Sequence, residues 1–121
     1  MPAISARSGK LVTGAGPAAV RDAARTGELL ELMGKTNVRL VVNRVDKSML
    51  KTVQLTIDDV MDNSGLPLMG VVPEDMHITL AASFGQPMLK YARYADASRA
   101  FRRIALRIQG MPVRIPIKKF K

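Results

Sequence analysis

Two short apolar runs, each closed by a small polar cluster, constrain this chain more than any other feature. Val38 to Val42 leads into Asn43-Arg44, and Leu66 to Val72 leads into Pro73-Glu74-Asp75. Neither run alternates between apolar and polar residues, as a strand with one wet face would. Near-continuous Val and Leu instead predict strands buried on both faces, the arrangement of parallel sheets covered by helices. In such sheets ligands lie in the crevice outside the carboxyl ends of the strands, where both polar clusters fall.

The segments around these runs supply the covering helices. Leu11 to Thr13 reads as a further short strand, and Gly14-Ala15-Gly16-Pro17 leads into a helix expected over residues 17–33. Ala19, Val20, Ala23, Ala24, Leu30 and Met33 recur in it at three- and four-residue spacing, and Gly34 stops it. Asn43 is expected to end the second strand. A loop from Asn43 to Thr56 follows, containing Asp46, Lys47, Lys51 and Thr52. Thr56 is a good N-cap with Asp59 at the third helical position, Leu55 and Val60 are placed for a hydrophobic staple, and Gly65 ends this two-turn helix. Pro67 is tolerable only near the start of the third strand, while Gly70 within it permits close approach of a neighbouring element. Asp75 caps a short helix over Met76 to Phe84, closed by Gly85. Asp96 is the expected cap of the last helix, whose stripe is Ala97, Ala100, Phe101, Ile104, Ala105 and Ile108, with Gly110 as stop.

Alternation of strand and helix predicts an α/β fold: a partial parallel sheet of about three strands with flanking helices. The 121 residues suffice for one domain. Residues 1–10 are expected to be irregular, 11–110 to form the domain and 111–121 a basic tail. The chain has no cysteine, which excludes disulfides and thiol chemistry. His77, the sole histidine, lacks companions at metal-ligand spacing and reads as a surface residue. No nucleophile turn for Ser/His/Asp catalysis is present. Met1 to Lys10 lacks the apolar core of a signal peptide, so a cytoplasmic location is expected.

The net charge of +9 is unevenly placed: residues 1–96 carry eleven Lys/Arg and ten Asp/Glu, whereas 97–121 carry eight Lys/Arg and no acid. Arg99, Arg102, Arg103 and Arg107 lie off the apolar stripe of the last helix. A solvated arginine face is the plain reading; contact with an anionic surface through Arg103, Arg107, Ile117, Lys118, Lys119 and Phe120 is the sharper one. Pro112 and Pro116 break the tail, and five residues beyond them are too few for a stable interfacial helix.

The blocks Val20-Arg21-Asp22-Ala23-Ala24-Arg25, Leu40-Val41-Val42-Asn43-Arg44, Leu55-Thr56-Ile57-Asp58-Asp59-Val60 and Gly70-Val71-Val72-Pro73-Glu74-Asp75 together resemble the septum-site-determining ATPases of the MinD family, a branch of the P-loop ATPases that also includes the ParA type. The resemblance runs from about Leu11 to Pro112 and covers the C-terminal half of that family's domain. It implies ATP or ADP with magnesium as cofactors of the parent fold, and a role in placing the division septum. It also implies homodimerisation or pairing with an N-terminal half, Min-system regulators as partners, and peripheral contact with the inner membrane. Carried over by position, Asn43 with Arg44 meets the adenine edge and Pro73, Glu74 and Asp75 line the ring. Val20, Arg21 and Asp22 fall near a regulator or dimer face. No G-x-x-x-x-G-K-[ST] motif occurs in the chain, and Ser8-Gly9-Lys10-Leu11 lacks both the first glycine and the hydroxyl. The chain alone is therefore expected to show negligible ATP hydrolysis. The alternatives are a fragment of a ParA-type partition ATPase, or a non-enzymatic basic module binding an anionic membrane or, less favoured, nucleic acid.

Overall fold

The computed structural model describes residues 9–85, 87, 90 and 93–120, with the side chains of Lys118 and Lys119 outside the description. Strand β1 (Gly9–Thr13), helix α1 (Pro17–Leu32), β2 (Val38–Val45), α2 (Lys47–Thr52), α3 (Ile57–Ser64), β3 (Leu68–Pro73), α4 (Met76–Ser83) and α5 (Asp96–Ile108) follow one another, and a 3-10 turn (Ile117–Phe120) ends the described chain. The three strands form one parallel sheet in the order β1-β2-β3. Gly9 and Lys10, expected to be irregular, already belong to β1.

Successive residues of β2 enter different cores, which explains its unbroken apolar run. Leu40 and Val42 join Val20 and Ala23 of α1 and Ile57 and Val60 of α3 on one face. Val41 joins Ala97, Ala100 and Ile104 of α5, with Met69 and Val72 of β3, on the other. β1 is covered on one face only: Leu11 packs on the first cluster while Val12 is 63% exposed. β2 is central, and among the described residues β1 and β3 are the edge strands, each bonded to β2 alone.

β2 runs past Asn43 to Val45, because a local irregularity, not a turn, absorbs the polar pair. Val42 pairs with Val71 and Val45 with Pro73, so β2 carries one extra residue there, and Arg44 adopts a left-handed φ of 54°. An opposite offset lies upstream, where Leu40 pairs with Leu68 but Val41 pairs with Gly70. The two offsets cancel, so the strands leave the sheet in the register in which they entered.

The expected loop after Asn43 contains a helix. Asp46 caps α2 by accepting from Ser48 N at 2.9 Å and Met49 N at 3.4 Å, and Leu50 is buried. The capping box of α3 is complete: Asp59 N donates to Thr56 Oγ1 at 3.1 Å and Thr56 N donates to Asp59 Oδ2 at 2.9 Å. Gly65 ends α3 with a left-handed φ of 69°. The last helix differs from expectation at its start. Ala95 occupies the cap position without a side-chain bond, and Asp96 is already helical. Its stripe holds at Ala97, Ala100 and Ile104, but Ala105 and Ile108 are exposed.

Gly70 lets α5 lie directly on β3. A Cβ at this position would collide with Ile104 Cγ1 and Cδ1. Gly70→Ala is expected to destabilise the fold by about 1–3 kcal/mol through overpacking. Trimming Ile104 to Ala in the same chain should make the added methyl less costly, so a double-mutant cycle by urea unfolding will show a favourable coupling.

Candidate nucleotide-base groove

The end of the sheet on which the two polar clusters converge is organised by one carboxylate. Asp75 follows β3 and accepts His77 N at 2.9 Å through Oδ1, which caps α4. Its Oδ2 accepts Ala97 N at 3.1 Å, so the same side chain also serves the first turn of α5, 22 residues along the chain. His77 Nδ1 lies 2.8 Å from Asp75 Oδ1, and His77 is largely exposed. Burial pushes the Asp75 carboxyl up, but the amides of Ala97 and His77 and then the His77 ring outweigh it, leaving its pKa below the ordinary aspartate value.

The space between β2, β3, α4 and α5 is a groove of about 550 Å³. Asn43, Arg44, Pro73, Glu74 and Asp75 all line it, as do Val72, Ile78, Thr79, Ala82, Ser83, Ala97 and Phe101. The walls thus combine an apolar slot with polar groups at its strand-end rim, which suits a flat heteroaromatic ring. Asn43 Oδ1 already accepts Arg44 N at 2.9 Å, the local bond expected of a strand-end asparagine. That leaves two amide donors and one oxygen lone pair for a ligand. Arg44 Nε sits 3.3 Å from Glu74 Oε2 across the rim. Both side chains are substantially exposed, so the pair orients the rim more than it stabilises the fold. Thr79, Ser83 and Phe101 were missed by sequence reading, because only the docking of α4 and α5 brings them to the strand ends.

Pro73 and Glu74 also form one wall of a second cleft of about 320 Å³, bounded by Lys47, Arg103, Asp96, Pro116 and Phe120. Arg103 shares the lining of this cleft with Asp46, Glu74 and Asp96. Arg107 is occupied with the backbone: it donates to Met69 O at 2.9 Å, Val113 O at 2.7 Å and Leu68 O at 3.4 Å, tying the tail to β3. Phe120 is buried in the α1 and α3 core, with Ile117 packed against it. In this fold Arg107 spends its guanidinium donors on backbone carbonyls, and Phe120 is held in the core. Val20 is a core residue, whereas Arg21 and Asp22 are exposed on α1. Because α1 begins at Pro17, Asp22 lies beyond the first turn, where the helix dipole acts most strongly.

Gly34-Lys35-Thr36 has the composition of a phosphate-loop ending, but it follows the C-terminus of α1, with Gly34 at a left-handed φ of 85°. Phosphate loops present a helix N-terminus, so this triplet is at the wrong pole. Among the described residues no group of three His, Cys, Asp or Glu is placed to hold a metal ion, and no helix is long and apolar enough to cross a membrane.

No protein-family model matches the chain. The septum site-determining protein MinD of Synechocystis is 32% identical over 104 residues, covering 85% of this chain, and a MinD protein of Nephroselmis olivacea is 38% identical over 103 residues, covering 84%. The solved MinD cell division protein of Aquifex aeolicus superposes with a TM-score of 0.80 at 28% identity over 89% of this chain. The chain belongs to the MinD family. It spans only 39% and 38% of the two relatives' lengths and 46% of the Aquifex chain. A MinC:MinD complex from Aquifex aeolicus matches with a TM-score of 0.81 at 27% identity. The fold is shared further with the MinD of Pyrococcus horikoshii complexed with Mg-ADP, at a TM-score of 0.74. The three-stranded parallel α/β sheet is thus part of the MinD-type P-loop NTPase fold.

Asp75 gives this MinD-family groove a pH dependence whose sign follows from its depressed pKa. Its stabilisation is present above the unfolded aspartate value of about 3.9 and is lost as pH falls through the folded value. Asp75→Ala removes the cap of α4 and the acceptor of α5, so a loss of about 1–2 kcal/mol is expected near neutral pH. The gap between wild-type and variant melting temperatures should narrow below about pH 4.

Proposed function

We propose that this chain forms the base-recognising side of a MinD-like adenine-nucleotide site in a protein acting in division-septum placement. The observation that carries this reading is the convergence of Asn43, Arg44, Pro73, Glu74 and Asp75 on one groove at the carboxyl ends of β2 and β3. The two amide donors and spare lone pair of Asn43 match adenine, which offers an amino donor beside ring-nitrogen acceptors. Pro73, Ile78 and Phe101 supply apolar surface for the ring.

The residues present fit the base but not the rest of the nucleotide. No phosphate-loop motif occurs in the chain, so the phosphates and magnesium fall to residues outside it. Phosphoryl transfer depends chiefly on preorganised contacts to those groups, so this chain contributes binding and orientation and no turnover of its own. The open side of β1, with Val12 exposed, is where a further segment or a second copy completes the sheet. The MinC:MinD relative supports a Min-system regulator as partner, for which exposed Arg21 and Asp22 on α1 are the candidate contacts.

The alternative of a free arginine surface is weakened by what the arginines do. Arg107 and Arg102 spend guanidinium donors on backbone carbonyls, which leaves them fewer for an anion, and Arg103 shares its cleft with acidic residues.

Titration of the chain with adenosine, ATP and guanosine, followed by amide chemical shifts, tests the assignment. Adenosine and ATP should perturb Asn43, Glu74 and Asp75 while guanosine does not. Asn43→Ala should weaken adenosine binding about tenfold, the value of one or two hydrogen bonds. Equal response to guanosine, or hydrolysis of ATP by the chain alone, would sink the proposal.

A further inference from the structure

The opposite end of the sheet has a different electrostatic character. A groove of about 330 Å³ lies at the amino ends of the strands, lined by Lys10, Asn37, Arg39 and Arg107 with Ile108 and Met111 at its rim. Among the described residues no acidic one lines it. Lys10 of β1 and Arg39 of β2 are register partners on adjacent strands, so their side chains leave the same face of the sheet. Like charges directly opposite each other are unfavourable unless a counter-charge lies between them. Among the described residues the ion pairs are Arg44 with Glu74 and His77 with Asp75, and neither involves these cations.

Two features of the fold offset part of this charge, and neither neutralises it. The C-terminus of α5 contributes about half a negative charge, against three cations. The acceptors of Arg107 are neutral carbonyls, which satisfy its N–H groups but leave its charge uncompensated. Arg39 Nε donates to Asn37 Oδ1 at 3.0 Å, which orients the guanidinium and leaves its four terminal N–H donors. A planar fork beside an ammonium matches the oxygens of a phosphate group.

We propose that the amino-end groove formed by Lys10, Arg39 and the C-terminal turn of α5 binds a phosphate-type anion. The site is separate from the base groove, at the other pole of the strands, and does not depend on it. The phosphate comes either from a soluble phosphate compound or from a lipid headgroup. Ile108 and Met111, 54% and 50% exposed, give the headgroup source an apolar rim that could enter the acyl boundary.

The test titrates the full chain with pyrophosphate at constant ionic strength, read by amide shifts. Saturable shifts are expected at Lys10, Asn37, Arg39 and Gly110, unchanged by saturating adenosine. Lys10→Gln with Arg39→Gln should weaken binding at least about tenfold, and Arg39→Gln alone gives a milder second variant with the same direction. Lys10→Arg keeps the charge and should retain binding. Arg99→Gln with Lys51→Gln, an equal loss of charge elsewhere, should change affinity less than about twofold at this ionic strength. Vesicles of phosphatidylglycerol in phosphatidylcholine, compared with phosphatidylcholine alone, separate the sources. Vesicle binding lost in Ile108→Ser with Met111→Ser identifies a headgroup, and pyrophosphate binding without vesicle binding identifies a soluble phosphate. Absence of saturable shifts at these amides, or equal weakening by the charge-matched control, would overturn the site.

Discussion

Burial of β2 and β3 on both faces is the constraint on which the rest of this fold depends. A strand with Leu40 and Val42 on one side and Val41 on the other cannot leave either side to water. Helices α1 and α3 satisfy one face and α5 the other. The closeness of α5 rests on the missing side chain at Gly70, where packing of Ile104 leaves no room for a methyl group. Backbone demands follow from that packing. Beside the register offset, Arg107 bonds to the carbonyls of Leu68 and Met69 while holding Val113 of the tail. An arginine that looks like surface charge is thus part of how the tail is fastened to β3.

At the carboxyl end, the groove is a consequence of how two helices are held apart. Asp75 bonds to the amino ends of both α4 and α5, so one carboxylate sets their starting points relative to β3. The extra residue of β2 brings Asn43 and Arg44 to the rim opposite. The site therefore rests on rigid strand ends and capped helix starts, the kind of support that keeps polar groups positioned before a ligand arrives. The amino-end groove has no acidic residue among its described lining, and its character comes from a register that sets Lys10 beside Arg39. A parallel sheet places all strand starts at one pole and all strand ends at the other, so the two grooves differ in chemistry by construction.

Much of the fold was legible in the residues. The capping box of Thr56 and Asp59, the glycine stop at Gly65 and the close approach at Gly70 are local chemistry, and each lies where the pattern predicts. Local signals also misled. Asn43 has the composition of a strand terminator, yet the ladder continues beyond it, since Val45 has a pairing partner in Pro73. Asp46 is a cap whose helix is only six residues long, too short to show a period. Asp96 resembles a cap, but the first turn of α5 is served by Asp75 from a distant segment.

The sequence by itself determined the alternation of strands and helices, the two-faced burial of β2 and β3 and the polar composition of their ends, because these depend on side-chain type and spacing within a few residues. Tertiary structure alone decided which side chains are engaged and which meet. Arg107 is bonded to carbonyls, Phe120 is sunk in the core, and Lys10 meets Arg39 only through strand pairing. The physical reason is that charge and apolarity belong to a residue, whereas exposure and partnership belong to the neighbours that folding brings to it.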